Sequence, residues 1–145
     1  MTKKRKEKTV FNRILWLRIS YWTGAIIDAL ACIPLFNSDV WAAINHVPNF
    51  HAGWDFRYAQ AFAGAFMAGW TVLLVWADRN PLERRGVLPI TVLPVIVGLN
   101  AARYMLYLGG FVPVAFTATG MILPAVLTAL FLFSYFNSFR PERLA

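Results

Sequence analysis

The chain has 145 residues, of which 59% are hydrophobic, 16% aromatic and only 14% charged, with a mean hydropathy of +0.53 and a formal charge of +7. Those proportions exclude a disordered chain, a secreted cysteine scaffold and an ordinary water-soluble domain. The single cysteine, Cys32, leaves no internal disulfide and no multi-cysteine metal or redox motif.

The apolar residues gather into stretches long enough to cross a bilayer, which takes about 20 residues at a rise of 1.5 Å each. Four stretches qualify, at 17–36, 56–77, 87–108 and 112–136. Their pattern does not alternate, so helices with internally satisfied backbones are expected rather than a lipid-facing barrel. The expected fold is an all-α membrane protein: a four-helix transmembrane bundle over 17–136, with a basic tail at 1–16 and a second tail at 137–145.

A signal peptide is the competing account of the first stretch, because Ala29-Leu30-Ala31-Cys32 faintly resembles a lipoprotein cleavage site. The stretch is long for a signal core, holds Asp28, and stays apolar past Cys32, so a retained helix is the simpler reading. Cys32 is then a small packing residue.

Charge orients the helices. Lys3, Lys4, Arg5, Lys6, Lys8, Arg13 and Arg18 precede or enter the first, Arg79, Arg84 and Arg85 lie between the second and third, and Arg140 and Arg143 follow the fourth. Twelve of the fourteen basic residues thus share one side, against Arg57 at the other boundary and Arg103 inside helix three. The positive-inside tendency makes both termini and the middle connection cytoplasmic. Trp16, Trp22, Trp70 and Trp76 fall towards that face and Trp41 and Trp54 towards the other, as interfacial rings do. The basic tail serves topology and anionic lipid rather than nucleic acid, since no recognition helix accompanies it. Membrane lipids are therefore the expected partners, and no nucleic acid is.

In the first connection, 37–55, Ser38 is placed to cap a short amphipathic turn through Ile44, ended by His46, Pro48 and Asn49. The segment reads either as a partial lid on the outer interface or as a linker with an aromatic anchor. Helix two carries Ala61, Ala65 and Gly69 at steps of four, a small-residue face suited to close packing inside the bundle or, second, to a homodimer or another membrane protein. The connection at 78–86 is compact: Asn80-Pro81 starts a turn and Gly86 relaxes the backbone before helix three. Pro89, Pro94, Pro113 and Pro124 punctuate the last two helices, and Pro94 and Pro124 are interior enough to bend them and open a cavity. Gly109-Gly110 makes a tight outer hairpin.

Asp28 lies eleven residues beyond Leu17, near mid-depth, and Arg103 sixteen beyond Val87. Charges at such depths are costly unless paired, hydrated or neutralised. Side chains tilt towards their helix N-termini, so Arg103 can reach down to the level of Asp28. Asp55 is the rival partner of Arg103, and a protonated Asp28 is the alternative. Asn100, Tyr104 and Tyr107 stand three or four residues from Arg103 and continue a polar stripe, and Gly24, Tyr21 and Cys32 share the face of Asp28. Asp28, Asn100, Arg103, Tyr104 and Tyr107 form the expected ligand-binding set, against a closed network that only sets helix register. Asp28 and His51 are the weak catalytic candidates. His46 and His51, five apart and without matching carboxylates, make no metal site, and they read as solvated loop residues. No cofactor is expected.

Two segments, RISYWTGAIIDALACIP at 18–34 and ADRNPLERRGVLPITVLPVIVGLN at 77–100, together with four short membrane helices, resemble the BphX-like family of small bacterial membrane proteins. The architecture is more loosely similar to the DoxX-like group. The most specific part is the 78–86 turn and its flanks. The resemblance implies the four-helix topology and no established activity, and the family's name, taken from an aromatic-degradation gene cluster, makes an aromatic ligand an expectation. The leading function is thus an accessory or binding protein holding a hydrophobic or aromatic small molecule or a lipid in an intramembrane pocket. A small enzyme or transporter that handles a proton at Asp28 and an assembly subunit of a membrane complex are the alternatives.

Overall fold

In the computed structural model the described residues are 3–45, 47, 50–110 and 114–139, the side chains of 3–9, 106 and 114–119 excepted. The side chains of Lys3 to Lys8, as well as His46, Pro48, Asn49, Pro113, Arg140 and Arg143, lie outside them. Among the described residues there is no strand. The elements are α1 (Lys3–Phe36), α2 (Ser38–Ile44), α3 (Trp54–Ala77), α4 (Val87–Ile90), a π-helical segment (Thr91–Val97), α5 (Gly98–Leu108) and α6 (Val114–Ser138). Four helical stretches are long and apolar enough to cross a membrane: Val10–Phe36, Trp54–Ala77, Val87–Met105 and Gly120–Ser138.

Helix α1 begins at Lys3, not at 17, because the lysine, arginine and glutamate of the basic run are strong helix formers, and it continues through Pro34 to Phe36. The cap of α2 is Asn37 rather than Ser38. Its side-chain oxygen accepts from the amides of Asp39 at 3.0 Å and Val40 at 3.1 Å, which makes Ser38 the first helical residue. Gly86 does not use the freedom of glycine either: at φ −60°, ψ −18° it is right-handed, as any residue can be. Gly110 does use it, at φ +73°, just after α5 ends.

The third span is interrupted as Pro94 demanded, by a widened turn instead of a plain bend. A proline has no amide to give the carbonyl four residues back. The i→i+5 spacing of a π turn moves the donor one position past it, so the segment around Pro94 stays helical at the cost of a local bulge. Thr91 and Asn100 anchor its two ends, donating from their side chains to the carbonyls of Val87 and Ile96, each at 2.8 Å.

The chain divides into two compact units, Met1–Tyr21 with Ala77–Ala145, and Trp22–Trp76. In the first, α4, the π segment and α5 run along α6, and Leu17, Tyr21, Leu88, Val92 and Phe131 form its buried core. Ser20 donates to the Ser134 hydroxyl at 2.7 Å and Ser134 donates to the Trp16 carbonyl at 3.2 Å, a polar chain that fastens α1 to α6. The Tyr21 hydroxyl holds the 78–86 turn by donating to the Arg84 carbonyl at 3.0 Å, and Arg18 meets Asp78 at 3.6 Å. In the second unit the buried Gln60 donates to the Pro34 carbonyl at 2.6 Å, satisfying one of the last carbonyls of α1. One turn further on, the Phe36 ring lies on Gly64, where an added Cβ would come within 2.8 Å of the ring. The close approach between these helices is therefore made at Gly64, while Ala61, Ala65 and Gly69 are exposed in the single chain.

Candidate functional site

In the first unit an open groove of about 630 Å³ lies between the π segment with α5 on one side and α6 on the other. Its walls are apolar, from Ile96 and Val97 to Pro124 and Ala125, and its polar points are Asn100, Tyr104 and Thr128. Both prolines shape it. The widened turn at Pro94 sets the rotation at which Asn100 and Tyr104 emerge, and Pro124 interrupts the facing stretch of α6. A recess of this size with a few polar groups in apolar walls matches the dimensions and chemistry of small-ligand sites. Beside it, the rings of Tyr104 and Tyr107 lie with centroids 6.3 Å apart, both well exposed.

Arg103 stands on the flank of this groove, and its placement follows from proline chemistry. Pro124 has no N–H, so the carbonyl of Gly120, four residues earlier on α6, loses its regular intrahelical donor. The Arg103 guanidinium donates to that same carbonyl. Glycine is what admits it, because a Cβ at position 120 would collide with Nη1 and Cζ of Arg103. An intramembrane arginine and a proline-freed carbonyl thus satisfy one another, each being expensive in hydrocarbon when left unmatched.

Of the residues singled out in the sequence, Asn100, Arg103, Tyr104 and Tyr107 come together on α5, with Asn100 and Tyr104 lining the groove itself. Asp28 belongs to the second unit, where it is half-buried one turn before Cys32. Within that unit, among the described residues, no hydrogen bond or ion pair reaches its carboxylate. His51 is exposed just ahead of α3, and Asp55 is exposed in that helix's first turn. Among the described residues no three His, Cys, Asp or Glu side chains gather into a metal-holding group. Sequence reasoning missed Gly120, the natural partner of Arg103, although counting four back from Pro124 points to it. It also missed Gln60, Ser20 and Ser134, for which no linear signal exists. Comparison of the chain with protein-family models, with curated proteins and with solved structures returned no match.

Proposed function

We propose that the chain is a multi-pass protein of the bacterial inner membrane, with both termini cytoplasmic. In this reading it acts as a binding or accessory protein that holds a hydrophobic or aromatic small molecule, or a lipid tail, between α5 and α6. The observation that carries the reading is the groove itself: about 630 Å³, apolar along both walls, with Asn100, Tyr104 and Thr128 as its few polar contacts. Apolar walls supply non-directional affinity, and the sparse polar points select orientation. Arg103, locked to α6, keeps the groove's flank rigid, which lowers the ordering cost of binding. Membership of the BphX-like group, carried by the segments at 18–34 and 77–100, belongs to the same proposal, as does the aromatic character of the ligand.

The test is photolabelling of the detergent-purified chain with a diazirine-bearing alkylbenzene, followed by peptide mapping. Saturable labelling of α5 and α6 that excess unlabelled alkylbenzene competes away is the expected result, and Ala125→Trp, which fills the groove, should remove it. Labelling that never saturates and falls equally on exposed apolar positions such as Phe62 and Phe66 of α3 overturns the reading.

A further inference from the structure

The second unit contains a different recess, a cleft of about 320 Å³ where the end of α1, the start of α2 and the first turns of α3 converge. Its lining is unlike that of the groove. Asn37, Ser38, Asp39, Arg57 and Gln60 contribute polar groups, with Phe36 and Ala61 among the apolar ones. Its walls are firmly set: Gln60 is tied to Pro34, Phe36 is seated on Gly64, and Asn37 holds the amides that begin α2.

Arg57 and Asp39 bring opposite charges to this one cleft, yet among the described residues neither takes part in an ion pair. Both side chains are exposed. Unlike charges that line the same recess without joining can each be met by one end of a dipolar group. The position narrows what that group is. Phe36 ends one candidate membrane span and Trp54 begins the next, so the cleft opens at the level where a bilayer meets water. Trp41, the residue type that sits among headgroups, packs against the rings of Phe50 and Phe56 with centroids 4.8 to 5.2 Å apart.

We infer that this cleft recognises the headgroup of a zwitterionic phospholipid, with the phosphate on Arg57 and the ammonium on Asp39. A guanidinium matches phosphate oxygens through charge-assisted hydrogen bonds, and a carboxylate accepts from an ammonium in the same way. Phosphatidylglycerol offers Arg57 the same phosphate but meets Asp39 only with neutral hydroxyls, whose hydrogen bonds lack the charge of an ammonium. The inference shares only the membrane setting with the proposed function and is independent of the groove.

The experiment is native mass spectrometry of the detergent-purified full chain titrated with palmitoyl-oleoyl phosphatidylethanolamine or phosphatidylglycerol. The ethanolamine lipid is expected to bind about threefold more tightly, the scale of an exposed ion pair. Asp39→Asn should bring the two lipids to parity by weakening the ethanolamine lipid alone, while Arg57→Gln weakens both. Ala61→Phe, which fills the cleft and leaves the charges in place, should abolish the preference with helix content unchanged. Equal or tighter binding of phosphatidylglycerol to the native chain overturns the inference, as does a preference that survives both Asp39→Asn and Ala61→Phe. Soluble phosphoethanolamine serves as the last arm: weak competition is expected, and binding as tight as that of the lipid overturns the lipid as source in favour of a free phosphoamine. Loss of groove photolabelling leaves these readouts unmoved, so the two proposals fail separately.

Discussion

Pro124 removes one amide from α6, and the consequence of that deletion reaches Arg103. If the guanidinium stands in for the missing donor at the Gly120 carbonyl, restoring the amide should make the arginine partly dispensable. Arg103→Leu alone is expected to destabilise the chain, and Pro124→Ala in that background to recover more stability than Pro124→Ala does in the native chain. Measured interhelical hydrogen bonds in membrane proteins set the coupling at roughly 0.6–2 kcal/mol. Unfolding of all four variants in mixed micelles gives the cycle, and strictly additive effects would place the value of Arg103 elsewhere. Gly120→Ala should mimic the loss, since its methyl group takes the guanidinium's place. The buried serines make a second, ordered prediction. Ser134 both accepts from Ser20 and donates to Trp16, so Ser134→Ala should cost about 1 kcal/mol, and Ser20→Ala, which leaves the Trp16 bond standing, less. Equal losses would show that the chain of hydroxyls does not act as a chain.

At the scale of the element, the π segment Thr91–Val97 decides which residues face α6. A π turn carries one residue more than an α turn, so closing it rotates the remainder of the helix by about 100°. Pro94→Ala restores the missing amide and permits that closure. The expected outcome is retained helix content by circular dichroism but loss of photolabelling at Asn100 and Tyr104, which would turn away from the groove. Unchanged labelling would mean that tertiary packing, not the proline, holds the bulge. The sequence made Pro94 readable as an interruption but not as a π turn, because a missing donor can be met by a kink, by water or by a change of spacing, and only the neighbours choose. The same division runs through the other elements. Four apolar runs and the turn at Gly109-Gly110 were legible from composition and glycine alone. Asn37 taking the cap one residue before Ser38 was not, since both residue types cap well and the end of α1 selects between them. The opposed charges of Arg57 and Asp39 lie eighteen positions apart and carried no linear signal of a shared cleft.

Among the described residues, polar side chains share the interior with the apolar core while many large apolar side chains face outward. Ser20, Gln60, Thr91, Ser134 and Ser138 are buried, while Phe66, Val72 and Ile122 are about two-thirds exposed at 67%, 67% and 65%. Hydrocarbon cannot drive helices together by excluding apolar groups, so polar contacts and close packing of residues such as Leu17, Leu88 and Phe131 hold the interior while other large apolar side chains face outward. If each of the four candidate spans crosses, as proposed, the chain returns to the side on which it began. In that topology charge selects the side: twelve of fourteen basic residues would fall on the stretches that share the termini's face, and positively charged segments resist translocation. In a Cys32→Ser background, Ala52→Cys should therefore react with a membrane-impermeant maleimide in intact bacteria, and Arg79→Cys only after the membrane is broken. The opposite pattern would invert the topology, and reaction of both positions from outside would contradict the four crossings themselves. If the middle connection contributes to the bias, replacing Arg84 and Arg85 by glutamine should make a fraction of Arg79→Cys reactive from outside. The basic tail would keep the rest in place, because seven of the twelve charges precede or enter the first candidate span and act before the later spans insert.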